Sequence, residues 1–414
     1  MSPKTDKIAD LSPDLEPSDR GESIRKMEPL LIAEGSSSRP ALMDTALDLV
    51  ARSAGFRKSL PDAIARSLAD LVRSMNCYYS NLIEGHYTHP VEIERALHDD
   101  FSKDPKKRDL QKEAKAHIAV QRWIDGGGLR GRATTREGIC EIHRRFYIDL
   151  PDALLEVEDP DTHKKYFVKP GELRTRDVKV GQHVPISAGA VPRFLDRFEG
   201  VYTPLGKAES ILATAAAHHR LAWIHPFLDG NGRVARLMSH AMFLETLDTG
   251  ALWSVARGLA RKVDDHKQLL ANCDLTRRND MGGRGNLSEE ALVAFTRFFL
   301  EISIDQIDFM ERLVEPEQLR TRILNWTKEQ MSKRTLPPQA DKIMEATLYR
   351  GGKLLRGEAA EVTGTGDRHA RRAVAGLVSA GVLTSEGPTA PVYLAFPARL
   401  ASSWMPGLFP ADET

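Results

Sequence analysis

His225-Pro226-Phe227-Leu228-Asp229-Gly230-Asn231-Gly232-Arg233-Val234-Ala235-Arg236, "HPFLDGNGRVAR", stands between two stretches of helical spacing, "AESILATAAAHHRLAWI" and "RVARLMSHAMFLETL". Gly230, Asn231 and Gly232 open the second helix, so their backbone N–H groups form a nest at the positive end of a helix dipole, where phosphate binds. Arg233 and Arg236 are three apart, and both guanidinium groups can lie on one face above the nest as fork-shaped donors. Two or three phosphates in a row fit this layout. Asp229 suits a hard cation that bridges phosphates, since magnesium takes one or two carboxylates plus phosphate oxygens. His225 is the one group in the stretch whose unperturbed pKa lies near neutrality, so it is the candidate base. Singly, Asp229 reads as an N-cap, the glycines as turn formers and the arginines as solvated surface. Their conjunction within one loop points to an anion site.

Upstream, "PDAIARSLADLVRSMNCYYSNLIEG" reads as a helix over about 61–85. Ile64, Leu68, Leu71, Val72, Met75, Tyr79 and Leu82 recur at helical spacing, Pro61 suits the first turn and Gly85 the stop. Glu84 then falls at the helix C-terminus, where the dipole disfavours an anion by roughly 0.3–1 kcal/mol unless a cation answers it. That position calls for a partner.

The 414 residues allow two or three domains, and 41% hydrophobic with 28% charged residues is ordinary for a globular chain. Lys+Arg and Asp+Glu both number 58, so any anion binding is local. Cys77, Cys140 and Cys273 lie far apart without a CxxC pair, which indicates neither a zinc site nor a disulfide framework. The N-terminus lacks a signal-peptide core and no run of about 18 apolar residues follows, so the expected location is cytoplasmic, with no membrane partner.

The fold class expected is mainly α. Residues 1–40, rich in Ser, Pro and charge, read as a disordered arm. A helical domain follows over 41–315, interrupted by "KKYFVKPGELRTRDVKVGQHVPIS", where Val178, Val180 and Val184 among polar residues suggest a small β-hairpin flap. A charged linker at 316–337 leads to 338–398, whose order of helices, turn and hairpin reads as a winged helix-turn-helix, and 399–414 is a tail.

The stretch at 225–236 matches H-P-F-x-[DE]-G-N-G-R-x-x-R at every defined position, and the chain thereby resembles Fic-domain proteins, most of which transfer AMP from ATP to a protein hydroxyl. The resemblance covers roughly 41–315. It implies that His225 deprotonates a Ser, Thr or Tyr hydroxyl and that Asp229 binds Mg2+. It implies that Gly230, Asn231 and Gly232 hold the phosphates, with Asn231 and Arg233 at the α- and β-phosphates and Arg236 at the γ-phosphate. ATP is then the co-substrate, and a protein target docks as an added strand on the flap at about 172–185. "SNLIEG" matches the [ST]-x-x-x-E-[GN] inhibitory motif of the same family, which implies that Ser80 and Glu84 restrain the site by pairing Glu84 with Arg236. Many AMP-transferring relatives carry tyrosines and an asparagine near the adenine, where this chain has Asp265, His266, Asn272 and Cys273. Fic proteins that move UMP, phosphate or phosphocholine are the alternative.

A rival reading makes the chain a DNA-binding regulator through Arg368, His369, Arg371 and Arg372 of the second winged-helix helix. Residues 338–398 hold seven basic and six acidic side chains, a weak excess for a duplex binder. Homodimer formation or presentation of a target fits that unit at least as well. Neither GxxxxGK[ST] nor a glycine-rich kinase loop is present.

Overall fold

Apolar residues at three- and four-residue spacing put helices along nearly the whole chain in the computed structural model, which describes residues 17–158, 163–278 and 285–410. The body is built from α1 (Arg39–Ser59), α2 (Asp62–Ile83), α3 (Pro90–Leu97), α4 (Pro105–Asp125), α5 (Arg136–Tyr147), α6 (Val191–Tyr202), α7 (Lys207–Ile224), α8 (Asn231–Thr246), α9 (Val255–Arg261), α10 (Val263–Asn272) and α11 (Glu289–Leu313). Prolines at the first turns of α3 and α4, and side-chain caps from Asp104, Thr135 and Ser288, start these helices where the sequence supplies them.

At the centre lie α7 and α8, packed along each other and buried on nearly every side. Small residues at Ala213, Ala215, Ala216 and Ala217 let neighbouring helices approach α7 closely. Around this pair, α6 and α11 cover α7, α5 and α4 flank α8, and α2 lies between α4 and α9. The short loop 225–230 joining α7 to α8 is therefore held by a close-packed frame.

Four expectations change. The expected arm at 1–40 is packed over its described part: Met27, Leu30 and Ile32 are buried, and the carbonyls of Pro29 and Leu30 accept hydrogen bonds from Arg220 and Tyr202. Its few apolar residues suffice because each meets an existing core. The expected hairpin at 172–185 has a single bridge, Val180 to His183. The paired strands lie earlier, as β1 (Glu156–Glu158) and β2 (Lys165–Phe167), antiparallel with Val157 opposite Tyr166. The expected linker at 316–337 is largely a helix, α12 (Pro316–Ser332), started by Pro316 and capped by Glu315. The expected tail after 398 is not loose: α16 (Ala401–Trp404) and the residues beyond it bury Trp404, Met405, Leu408 and Phe409.

Between α12 and that segment come α13 (Ala340–Tyr349), β3 (Lys353–Leu354), α14 (Ala359–Thr363), α15 (Asp367–Ser379), β4 (Leu383–Thr384) and β5 (Val392–Leu394). The strands form one antiparallel sheet ordered β3-β5-β4. This unit rests on the N-terminal half of α2. Gly351 and Gly352 bring its backbone so close that added Cβ atoms would stand 3.0 Å from Pro61 and 2.7 Å from Ile64. The other end of α2 carries the closing segment: Tyr79 donates to the Leu408 carbonyl at 2.9 Å and the Tyr78 ring meets Phe409 edge-on at 5.4 Å. Among the described residues no helix is long and apolar enough to cross a membrane.

Candidate functional site

The frame delivers His225 at the end of α7 with φ 51°, a left-handed conformation that a residue with a Cβ adopts only under constraint. The constraint comes from Arg174, which is buried and donates to the carbonyls of His225 at 2.8 Å and Ile186 at 2.5 Å, while its own backbone N–H reaches Pro226 O at 2.9 Å. His183 lies 2.8 Å from the Trp223 carbonyl. The segment at 172–187 thus holds the loop. Burial pushes the His225 imidazole down to about 4, with the Arg174 charge acting in the same direction. At neutral pH the ring is uncharged and can accept a proton.

Beyond the base, the loop closes on itself. The Asn231 side chain accepts from Phe227 N at 3.0 Å and donates to Phe227 O at 2.9 Å. Gly230 takes φ 79° and lies under Tyr147, whose Oη would stand 2.5 Å from an added Cβ, so a side chain there is excluded twice over. No side chain caps the N-terminus of α8, and its first turn faces the site as an anion nest.

A carboxylate stands beside that turn. An added Cβ on Gly232 would lie 2.5 Å from Glu84 Oε1. Glu84, the C-cap of α2 one residue beyond the last helical position, accepts from Arg236 Nη2 at 2.5 Å. Ser80 completes the grip: Arg236 donates Nε to Ser80 Oγ at 2.9 Å and Nη2 to the Ser80 carbonyl at 3.2 Å. Burial opposes ionisation of Glu84, but the Arg236 and Arg233 charges outweigh it and hold the carboxyl below its usual range. The cation called for at the end of α2 is therefore Arg236, with Arg233 behind it.

Asp229 accepts from Tyr147 Oη at 2.5 Å and from Arg233 Nη2 at 2.9 Å. Burial raises its pKa, but Arg233, the Tyr147 hydroxyl and the Gly230 N–H lower it further, so the carboxylate stays charged. It is partly open, with 40% of its side chain exposed. Among the described residues no group of three or more His, Cys, Asp or Glu could hold a metal. A single charged, accessible carboxylate beside an anion nest nevertheless fits magnesium shared with substrate phosphates.

All nine residues expected at the site from the sequence come together here: His225, Asp229, Gly230, Asn231, Gly232, Arg233, Arg236, Ser80 and Glu84. The Asn231 side chain is used to close the loop, leaving its backbone N–H to the nest. Of the α10 region, Asp265 is exposed and Cys273 buried. His266 is buried against Phe295, and both of its ring nitrogens lack a partner. Sequence reasoning missed Arg174, Tyr147, His143 and Glu113. His143 stacks between Tyr147 and Phe227 and receives the Gly171 N–H at 2.8 Å. Glu113, buried on α4, grips Arg233.

The sequence profile of the Fic/DOC family matches residues 133–243, from the turn before α5 into α8. The chain is similar to the curated "Protein adenylyltransferase Fic" of Drosophila grimshawi, 28% identical over 169 residues, which are 40% of this chain and 32% of that protein. The corresponding protein of Culex quinquefasciatus is 31% identical over 173 residues, 40% of this chain and 31% of that one. The matches thus span about a third of the length of these curated relatives. The fold is shared with a Fic family protein from Desulfovibrio desulfuricans G20, at a TM-score of 0.51 and 16% identity over 88% of this chain and 98% of that one.

Proposed function

Since residues 133–243 carry a Fic domain, we propose that the chain is a protein adenylyltransferase that moves AMP from ATP to a Ser, Thr or Tyr hydroxyl of a protein, itself included, and that Glu84 restrains it. The observation that carries this reading is the Glu84 carboxylate at the N-terminal turn of α8, filling the space beside Gly232 and bound to Arg236. A guanidinium that already binds one carboxylate beside an uncapped helix N-terminus fits a phosphate site with an internal occupant.

In the proposed reaction, neutral His225 takes the proton of the target hydroxyl, and the oxygen attacks the α-phosphorus. The bond from that phosphorus to the bridging oxygen breaks, and pyrophosphate leaves. The nest at Gly230–Gly232 and Arg233 hold the α- and β-phosphates, and Arg236, once free of Glu84, takes the γ-phosphate. Mg2+ held by Asp229 neutralises phosphate charge when bound. Little covalent work falls to the protein, whose contribution is positioning and charge. The target docks along 172–185, where Val180 and Val184 are exposed beside the loop that presents His225.

Intact-mass analysis after incubation with ATP and Mg2+ tests this. Glu84→Gly gains the mass of AMP on itself or on an added target, and Glu84→Gly with His225→Ala does not. No adduct on Glu84→Gly, with UTP, GTP and a phosphocholine donor also tried, sinks the transferase reading. An adduct from one of those donors instead of ATP reassigns the group transferred.

A further inference from the structure

Arg233 has two carboxylate partners, and they differ in whether they can stay. Its Nη2 meets Asp229 at 2.9 Å, while its Nη1 meets Glu113 on α4. Glu113 is buried, with its side chain 1% exposed, and its second oxygen is fixed by His86 Nδ1 at 2.8 Å. Phe146 lies under the guanidinium, 5.1 Å from ring centroid to Cζ, and closes the remaining side. The proposed reaction, on which this inference rests, needs Asp229 for the cation. Arg233 Nη2 and Tyr147 Oη both use Asp229 Oδ2, which leaves Oδ1 for the cation. A dication there draws charge from the carboxylate, weakens its hold on Nη2 and frees that donor for a phosphate oxygen.

We propose that Glu113 is the positioning residue for Arg233. It is the fixed anchor that keeps this guanidinium aimed at the nucleotide phosphates when Asp229 is given over to the cation. Because its other oxygen binds His86, two residues beyond Glu84, the same carboxylate also links the phosphate-binding arginine to the segment that carries the inhibitory motif. A lysine-like loose cation at position 233 would neutralise phosphate charge without aiming it. Glu113 supplies the aim.

The test uses the full chain in the Glu84→Gly background, with calorimetric affinities for a non-transferable ATP analogue and for adenosine. Glu113→Gln is expected to weaken the analogue by about tenfold while leaving adenosine unchanged, since only the phosphates meet Arg233. Arg233→Ala weakens the analogue at least as much, and Arg233→Ala with Glu113→Gln is no weaker than Arg233→Ala alone. Glu113→Asp, which keeps the charge on a shorter arm, recovers part of the loss and carries the same test where Glu113→Gln does not fold. An unchanged analogue affinity in Glu113→Gln, equal weakening of analogue and adenosine, or fully additive losses in the double variant each overturn the anchor alone. A Glu84→Gly parent that binds the analogue no better than adenosine overturns the phosphate site and the anchor together.

Discussion

Arg233 and Arg236 are the same residue type, three positions apart on one helix face, yet their partners are unlike. Glu84, which grips Arg236, sits at the C-terminus of α2 with 31% of its side chain exposed. Glu113, which grips Arg233, lies within α4 with 1% exposed. A partner at a helix terminus can leave by moving one turn of chain, whereas a buried partner can leave only by opening the core. The motif thus joins a half-open contact to a closed one, and what separates them is the burial of the carboxylate.

The sharpest way to break that contrast is stability. Glu113→Ala leaves a buried guanidinium short of its partner and is expected to cost about 3–5 kcal/mol. Glu84→Ala leaves Arg236 with Ser80 and costs about 1–2 kcal/mol. Denaturant unfolding of both variants checks the pair, and equal losses would erase the distinction. Next in size is activity: release of Glu84 in Glu84→Gly raises modification by about 5- to 150-fold, the usual range for one coupling contact, read by intact mass over time. Smaller again is the effect of the brace on α2. Phe409→Ala removes the edge contact to Tyr78 and is expected to raise modification a few-fold, by allowing the end of α2 to move more often; a rate equal to wild type in a folded variant counts against the brace. Between pH 8 and 6 no change is expected from the base. With His225 held down to about 4 by burial, the acid limb of kcat/KM for Glu84→Gly falls near pH 4, and a limb near 6.5 would mean an exposed imidazole.

The loop chemistry was legible because nest, base, cation ligand and arginines lie within twelve consecutive residues, and local geometry follows from local sequence. Glu84 was legible through its odd place on the helix dipole. Glu113 was not, because "LQKEAKAHIAV" reads as charge on a solvated face. Yet Glu113, His117, Gln121 and Ile124 are all buried at helical spacing, and a carboxylate in phase with that stripe was the available signal. Arg174 and Tyr147 act across 51 and 82 residues, beyond any periodicity. The hairpin expected at 172–185 reduces to one bridge, Val180 to His183, because that segment is occupied with the loop of His225. The strands that do pair, Glu156–Glu158 and Lys165–Phe167, are too short and polar to show a pattern. The segment after 398, expected as a tail, holds in "SSWMPGLF" four side chains large enough to fill a core.

Tyr79 and Leu408 are joined across 329 residues. On the ribosome, α2 and the loop at 225–236 emerge long before Leu408 and Phe409 are made. Synthesis proceeds at roughly 5–20 residues per second, so the last piece of the brace follows the loop by about ten seconds or more. A nascent chain therefore passes through an interval in which the end of α2 lacks its contacts to Leu408 and Phe409.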